Sequence, residues 1–307
     1  MLPLFETIYD DMRESLGTPV RLLRLLDEHP EIRVRIEEPG RVIAAERVLK
    51  WHEWGHHRDL MWPNRPAGVI RGWRYADGHY RSFEVHRPEL ANLGQCHITE
   101  QWTCDIQDVE GLSCSKSTLT DFTSLDDMVE ANSREMIDEI TEKKLQENLS
   151  HSEIRLLHQK DTTDHFARFL WDGRLFLMNS GGSHHFAAAR YIAARLDRPV
   201  PLSGKLRTYA IKPEAVDTLR RDMDVFLISS ESEISNKFFE AMESFEVTHY
   251  LHPISSRPYD RIMAVLLPKN EFRSARVSRE LRKAGLFDLG QHLADLCARQ
   301  FTLLTAR

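Results

Sequence analysis

A chain of 307 residues is long enough to form one large domain or two of medium size, each with its own hydrophobic core. Hydrophobic residues make up 41% of it and charged residues 29%, a composition that excludes a disordered or fibrous protein. The formal net charge of -6 excludes a global attraction to nucleic acid, so any such contact would need a local basic patch.

Cysteine usage and the N-terminus predict a cytoplasmic protein. Four cysteines are few for this length, which is typical of reduced thiols and not of a secreted disulfide scaffold. The opening stretch MLPLFETIYDDMRESLG carries acids where a signal peptide would need a basic start and an apolar run. No window approaches the ~18 consecutive apolar residues of a transmembrane helix, so we expect no membrane partner.

The first 123 residues are predicted to mix helices and strands. Residues 3–28 predict one or two short helices, and alternating apolar and charged residues at 32–38 predict an exposed strand. Residues 41–61 contain few helix breakers and predict a helix that ends before a Pro-rich turn. From 67 to 123, runs rich in aromatic and Thr residues predict strands.

The predicted helix 41–61 carries the pattern H-E-x-x-H of zinc metallopeptidases. On an α-helix, His52 and His56 would face the same way and bind zinc, and Glu53 would activate the metal-bound water. The extended pattern requires Gly and then His or Asp further on, but Asp59 and Trp62 occupy those two places. We therefore favour a structural role for this helix, expect no zinc, and keep a metallopeptidase as a third hypothesis.

The region 124–150 predicts a polar surface helix that connects two parts of the chain, with Ser124 and Asp127 as a capping box. Residues 166–211 predict a strand, a turn, a second strand, a loop, a helix and a third strand. The remaining segments are predicted as follows: strands at 224–229 and 261–268, and helices at 236–244, 271–284 and 287–300.

The sequence Gly-Gly-Ser-His-His at 181–185 predicts a phosphate-binding loop. Gly181 and Gly182 allow a positive φ and a close approach of the backbone to a ligand. The N–H groups at the start of the following helix favour an anion, as does the helix dipole. Ser183, His184 and His185 add side chains that donate hydrogen bonds to phosphate oxygens.

The strand, turn, Ala-rich helix and strand of residues ~165–211 resemble the core of the ParB/sulfiredoxin-like superfamily. Its members include chromosome-partitioning CTPases, sulfiredoxins and free-serine kinases, and their turn binds nucleotide phosphates. The resemblance implies a ParB-like fold that binds ATP or CTP with magnesium. It places Gly181, Gly182, Ser183, His184 and His185 at the phosphates, with His184 in a catalytic contact.

Two residues depart from the pattern of that superfamily. Ser183 stands where the sulfiredoxin turn Gly-Gly-Cys-His-Arg has its reactive Cys, so we do not expect sulfinic-acid reduction by that route. His185 stands where the superfamily usually has Arg, which predicts weaker and pH-sensitive phosphate binding.

Phosphoryl chemistry would also need a carboxylate and further positive charge near the turn. Asp161, Asp164 and Asp172 are close in sequence, although no pattern selects one of them. Lys205 and Arg207 could neutralise phosphate charge, but surface solvation is the favoured role for both.

A second candidate surface lies in the predicted helix at 271–284. Arg273, Arg276, Arg279 and Arg282 recur every three residues and would form an inclined basic stripe that could follow a DNA backbone. The acidic Glu280 interrupts the stripe, so a solvated helix face is favoured over DNA binding.

These observations together predict an α+β protein with an N-terminal region at 1–123, a helical connector at 124–150 and a ParB/sulfiredoxin-like domain with C-terminal helices at 151–307. The predicted function is nucleotide or phosphate-ester binding, with hydrolysis or phosphoryl transfer at the turn. The alternative is a non-catalytic regulator that binds DNA or protein through a degenerate ParB-like core. The sequence leaves open the nucleotide, the acceptor and the oligomeric state.

Overall fold

The computed structural model describes residues 2–36, 42–56, 66–254, 259 and 261–305, and the side chains of those between 8 and 302. It confirms the predicted α+β class. The helices are α1 (Leu2–Ser15), α2 (Val20–Glu28), α3 (Pro88–Ala91), α4 (Leu125–Asn132), α5 (Glu142–Leu149), α6 (Arg155–His158), α7 (Ser183–Arg195), α8 (Pro213–Asp222), α9 (Ser232–Ser244), α10 (Phe272–Lys283) and α11 (Leu289–Thr305). The strands are β1 (Val69–Ala76), β2 (His79–His86), β3 (Gly94–Asp105), β4 (Val109–Leu112), β5 (His165–Phe169), β6 (Leu175–Met178), β7 (Pro201–Ile211), β8 (Met223–Ser229), β9 (His249–Pro253) and β10 (Ile262–Pro268). Within the described ranges, no helix is both long and apolar enough to cross a bilayer.

The chain divides into two compact units, each assembled from separate stretches of sequence. The first unit contains 1–37, 50–93 and 211–298, and the second contains 38–49, 94–210 and 299–307. These limits differ from the predicted divisions at 123 and 151, because strands from early and late parts of the chain share each sheet. The predicted connector 124–150 lies wholly inside the second unit.

The first unit is built on an antiparallel sheet with strand order β2-β1-β9-β10-β8. Asp77 and Gly78, which join β1 to β2, both have positive φ, as a tight two-residue hairpin turn requires. Apolar side chains of α2, α9, α10, β8 and β10 form its core, among them Phe226, Phe238 and Phe245.

The second unit is built on a mixed sheet with strand order β3-β7-β5-β6-β4. β4 runs parallel to β6, and β5 runs antiparallel to β6 and parallel to β7. Both α4 and α5 pack against α7. Four alanines of α7 are fully buried, and their small side chains allow that close packing: Ala187, Ala188, Ala189 and Ala193.

The predicted helix 41–61 is wrong over its described part. The structure has two 3-10 helices there, Ala45–Arg47 and Trp51–His56, and residues 57–61 lie outside the described ranges. The backbone N–H of Ile43 donates to Phe122 O, and Ile43 O accepts from Leu112 N. Because these groups bond outside their own segment, they cannot form the hydrogen bonds of an α-helix.

Two further predictions in the first half of the chain need correction. Residues 33–36 of the predicted strand at 32–38 form no strand, and 37–38 lie outside the described residues. The single helix predicted at 124–150 is two helices, α4 and α5, separated by a 3-10 turn at Arg134–Met136. Ser124 does cap α4 by accepting from Asp127 N, as predicted, and Thr141 caps α5 in the same way. The break begins at Ser133, and that residue contributes to the site described next.

Candidate functional site

A cavity of about 640 Å³ opens in the second unit where β4 and β6 end. Since these strands are parallel, their carboxyl ends meet at one edge of the sheet, the usual place for a ligand in such folds. Four segments line the cavity: 114–117 after β4, 132–136 from the last residue of α4 onward, 151–155 up to the start of α6, and 180–185 from the turn after β6 into the start of α7. The predicted phosphate-binding turn is therefore one wall of a cavity that three other segments complete.

The turn places the start of α7 at the cavity. Gly182 has φ +68°, and a Cβ there would lie 2.6 Å from the backbone carbon of Glu153, so both the conformation and the space require glycine. Gly181 does not have the positive φ that the sequence suggested. α7 begins directly afterwards at Ser183, where no side chain of the described residues caps the helix. Its first N–H groups have no intrahelical acceptor and are open to a ligand.

The side chain of Asn179 links the loop after β4 to this turn through hydrogen bonds. Its Oδ1 accepts hydrogen bonds from the backbone N–H of Ser113 and Cys114, both at 3.2 Å. Its Nδ2 donates to the carbonyls of Cys114 and Gly181, at 2.8 and 3.0 Å. All four polar positions of the buried amide are used, so this side chain fixes the two cavity walls relative to each other.

His184 is the centre of a group of serine hydroxyls. Its Nδ1 is hydrogen-bonded to Oγ of Ser133, which is buried. On the other side of the ring, Nε2 lies 3.2 Å from Oγ of Ser117 and 3.4 Å from Oγ of Ser115. Ser183 Oγ donates to Ser115 Oγ at 3.0 Å. Both ring nitrogens of His184 are thus engaged by residues that are far away in sequence.

The groups around His184 also change the pKa of its imidazole. Partial burial lowers the pKa of His184, and the neighbouring Lys116 lowers it further, against an opposing effect of Glu135. The imidazole is therefore neutral near pH 7 and has a lone pair available to accept a proton.

His185 is held by a second group of polar residues. Asn148 donates through Nδ2 to the carbonyls of Met136 and Lys144, so its Oδ1 is the atom that accepts from His185 Nδ1, at 3.1 Å. The ring of His185 stacks on that of His151 with centroids 3.6 Å apart. Burial first, and then His151, lower the pKa of His185, since two stacked cations would repel each other.

The charged groups that line the cavity are not the ones that the sequence suggested. Lys116 and Arg155 supply positive charge, and Glu135 and Glu153 supply carboxylates. Within the described parts of the chain, Lys116 has no carboxylate at ion-pair distance. Arg155 donates to Ser180 Oγ at 2.7 Å.

The residues predicted to assist the turn lie elsewhere. Lys205 is paired with Glu100 at 3.1 Å, and neither it nor Arg207 lines the cavity. Asp172 is paired with Arg174 at 2.7 Å. Asp164 contacts the cavity only indirectly, because it accepts a hydrogen bond from Ser180. Asp161 is not a lining residue either.

The H-E-x-x-H residues lie in the first unit, in the 3-10 helix Trp51–His56. Because that helix turns by about 120° per residue, His52 and His56 point in different directions and do not form a two-histidine face. Glu53 lies 3.4 Å from His52 and contacts it directly. Among the residues that the structure describes, no three His, Cys, Asp or Glu side chains are arranged to hold a metal ion.

The four arginines of the predicted stripe lie on α10, and most of them are paired with carboxylates. Arg273 pairs with Glu246 at 2.6 Å, Arg276 contacts Glu280, and Arg282 pairs with Asp224 at 3.0 Å. Arg279 is exposed and is the member of the stripe that has no carboxylate partner within the described ranges. These pairs leave little free positive charge for a DNA backbone.

Sequence reasoning did not find most of the cavity. The missed residues are Ser115, Lys116, Ser117, Ser133, Asn148, His151, Arg155 and Asn179. One signal was available: the run Ser-Cys-Ser-Lys-Ser at 113–117 follows directly on a short buried strand, where loops often carry ligand contacts.

The chain belongs to a family of unknown function (DUF6685), whose model matches residues 99–306. The match includes all four segments that line the cavity. No curated protein matches the chain, and no solved structure matches it.

Proposed function

We propose that this protein binds a nucleotide or another phosphate ester in the cavity at the start of α7. The observation that carries the proposal is the meeting of an uncapped helix N-terminus with two cationic side chains, Lys116 and Arg155, around one cavity. N–H groups, the helix dipole and cations all favour an anion with several oxygen atoms. A volume of about 640 Å³ lies within the usual range for small-molecule sites.

The residues of the turn would share the recognition of the phosphate groups. Gly182 allows the backbone to bend beside Glu153, and Gly181 adds no side chain that would narrow the approach. Ser183, His184 and His185 offer backbone N–H groups at the helix start. His185 also offers a ring that becomes a cation when it is protonated, so phosphate binding should strengthen as the pH falls.

The cavity contains the groups that phosphoryl chemistry needs. His184 is neutral near pH 7 and lies at hydrogen-bond distance from hydroxyl groups, which suits it to accept and return a proton. Glu135 and Glu153 are carboxylates of the kind that hold magnesium together with phosphate oxygens, and the ion would supply charge neutralisation. We therefore infer a nucleotide hydrolase or phosphotransferase, with ATP or CTP as the candidate nucleotides.

A thermal-shift experiment tests the binding. ATP, CTP, GTP and their diphosphates would be added to wild type and to His184→Ala, each with and without magnesium. A ligand that binds only the folded protein raises Tm by mass action. We expect at least one nucleotide to raise Tm of the wild type and to lose that effect in His184→Ala.

The matched control is His97→Ala, which removes an exposed histidine of the same unit that does not line the cavity. It should keep the full shift. If no nucleotide stabilises the wild type, the proposal is wrong.

The alternative of a DNA- or protein-binding regulator stays a prediction. It requires a salt-dependent DNA affinity that falls when Arg276 and Arg279 are reversed to Glu. The zinc-peptidase hypothesis likewise requires one bound zinc per chain that is lost in His56→Ala.

A further inference from the structure

The hydrogen bonds around His184 determine which ring nitrogen carries the proton. Ser115 Oγ accepts from the backbone N–H of Ser117 at 3.1 Å and from the hydroxyl of Ser183 at 3.0 Å. With both lone pairs used, Ser115 donates its own proton, and the sulfur of Met128 accepts it at 3.9 Å. The hydroxyl of Ser117, which accepts from Asn132 Nδ2, is then the donor to Nε2 of His184, at 3.2 Å. Nε2 is therefore an acceptor. It follows that Nδ1 carries the proton and donates to Ser133 Oγ.

Of the two hydroxyls beside Nε2, only one is free to act as a nucleophile. The lone pairs of Ser115 are both occupied, and its hydroxyl donates to the sulfur of Met128. Among the residues that the structure describes, Ser117 Oγ accepts one hydrogen bond, from Asn132 Nδ2 at 2.8 Å, and it lies closer to Nε2, at 3.2 Å. One lone pair of Ser117 remains available to attack an electrophile in the cavity that it lines.

We propose that Ser117 is the nucleophile of a covalent phosphoryl transfer, with His184 as its general base and Ser133 as the residue that positions the imidazole. The proposal rests on the function proposed above, since the phosphate group must first bind at the start of α7. It has the logic of a catalytic triad: nucleophile, base and a third group that orients the base.

The reaction has two steps, and each is balanced. In the first, Ser117 Oγ forms a bond to phosphorus while the bond from phosphorus to the leaving oxygen breaks. The proton of Ser117 passes to Nε2 of His184 and then to the leaving group, which departs as an alcohol or a nucleoside diphosphate. In the second, water attacks phosphoserine, and its proton returns through His184 to Ser117 Oγ as inorganic phosphate leaves. An acceptor alcohol in place of water gives phosphoryl transfer.

The surroundings favour both steps. The N–H groups at the start of α7 and the Lys116 ammonium group would stabilise charge on the phosphoryl oxygens. Burial keeps the pKa of His184 below its ordinary value, so the base is unprotonated at neutral pH. Ser133 is buried and holds Nδ1 in place, which keeps the lone pair of Nε2 directed at the hydroxyls.

Trapping of the covalent intermediate tests the proposal. Full-length protein would be incubated with ATP, CTP or GTP and magnesium, or with p-nitrophenyl phosphate, and quenched in acid, in which phosphoserine is stable. Peptide mass spectrometry would then locate a phosphoryl group. We expect it on Ser117 in the wild type and on no residue in Ser117→Ala. In Ser203→Ala, which removes an exposed hydroxyl of the same unit that does not line the cavity, the label should still form on Ser117.

A second readout covers an intermediate that is hydrolysed too fast to accumulate. In water containing methanol, a common phosphoserine gives the same ratio of methyl phosphate to inorganic phosphate whatever the leaving group. Turnover should fall roughly 10²- to 10⁴-fold in His184→Gln, which removes the base. Turnover that persists in Ser117→Ala, or a phosphoryl label on another residue, overturns the proposal.

Failure of this inference is distinguishable from failure of phosphate binding. Inorganic phosphate should raise Tm of Ser117→Ala as it does for the wild type, because the helix start and Lys116 are unchanged. If the wild type binds phosphate but gives neither label nor a constant methanol ratio, the nucleophile is refuted and the binding site stands. If phosphate and nucleotides give no shift in the wild type, both proposals fail.

Discussion

Ser133 and His184 are hydrogen-bonded to each other although 51 residues separate them in the chain. Ser133 is the residue that directly follows α4, and it is 2% exposed. His184 is the second residue of α7. The break in the helical region 124–150 therefore contains Ser133, whose side chain orients the central histidine of the cavity.

Replacement of Ser133 by Ala should disorder the imidazole of His184. The free energy of unfolding should fall by about 1 kcal/mol, the usual net value of one buried hydrogen bond. If Ser133 had only a structural role, this loss of stability would be the only effect of the replacement. We also expect ¹⁵N NMR of the imidazole to show protonated Nδ1 in the wild type and a mixture of tautomers in Ser133→Ala. Ser133→Thr keeps a hydroxyl and should restore the wild-type tautomer; an unchanged spectrum in Ser133→Ala would contradict this assignment.

Replacement of Gly182 by Ala should lower the free energy of unfolding by more than a strained positive φ accounts for, because the new Cβ would also clash with a neighbouring backbone. A Cβ at Gly182 meets the Glu153 backbone at 2.6 Å, whereas a Cβ at Gly78, with φ +80°, meets no atom of the described residues within 4 Å. We expect Gly78→Ala to cost about 1 kcal/mol of unfolding free energy and Gly182→Ala about 3 kcal/mol. Urea denaturation measures both.

Gly181→Ala is the control within the turn, because its Cβ would lie no closer than 3.4 Å to a neighbour and its φ is not positive. It should be nearly neutral in stability. Equal costs at 181 and 182 would show that the turn differs from the one described.

The cation that matters for phosphate should be Lys116 and not Lys205. Lys116 lines the cavity, whereas Lys205 is paired with Glu100 outside it. Loss of one charge-assisted contact by an exposed side chain should weaken phosphate or nucleotide binding roughly tenfold in Lys116→Ala. Lys205→Ala should leave the dissociation constant unchanged. Calorimetric titration at two salt concentrations checks both, and equal weakening in the two variants would place the anion elsewhere.

The first unit should lose stability in acid because of His249. That side chain is fully buried, stacks on Trp73, and has no hydrogen-bond partner for Nε2 within the described residues. Burial lowers its pKa from 6.5 to about 4. Since the unfolded chain binds the proton first, the contribution of neutral His249 is complete above pH 6.5 and is lost as the pH falls towards 4. The loss should reach about 3 kcal/mol.

Urea denaturation across that pH window isolates the effect when wild type is compared with His249→Phe. The phenyl ring keeps the stacking on Trp73 and does not titrate, and every other ionisable group is common to both proteins. The stability of the wild type should therefore fall more steeply with acid than that of the variant. Parallel curves would assign the acid sensitivity to other groups.

The local part of the candidate site could be predicted from the sequence. The order strand, Gly-Gly turn, helix and strand at 175–211 follows from signals within a few residues: apolar runs, glycines, and an Ala-rich helix. The same kind of signal located the Ser124 cap of α4. Such local signals failed at 41–61, where they predicted an α-helix that the structure does not have over the described residues. The backbone of Ile43 instead bonds to residues far away in sequence.

The neighbours of His184 could not be predicted in this way. Ser133, Ser117 and Ser115 reach it from 51, 67 and 69 residues away. Their approach depends on the parallel pairing of β4 with β6, and β4 is a strand of four residues, too short to show a period that specifies its partner. Residue patterns thus located the turn and the helix start at the cavity. The pairing of distant strands, which patterns leave open, established which hydroxyls and cations surround it.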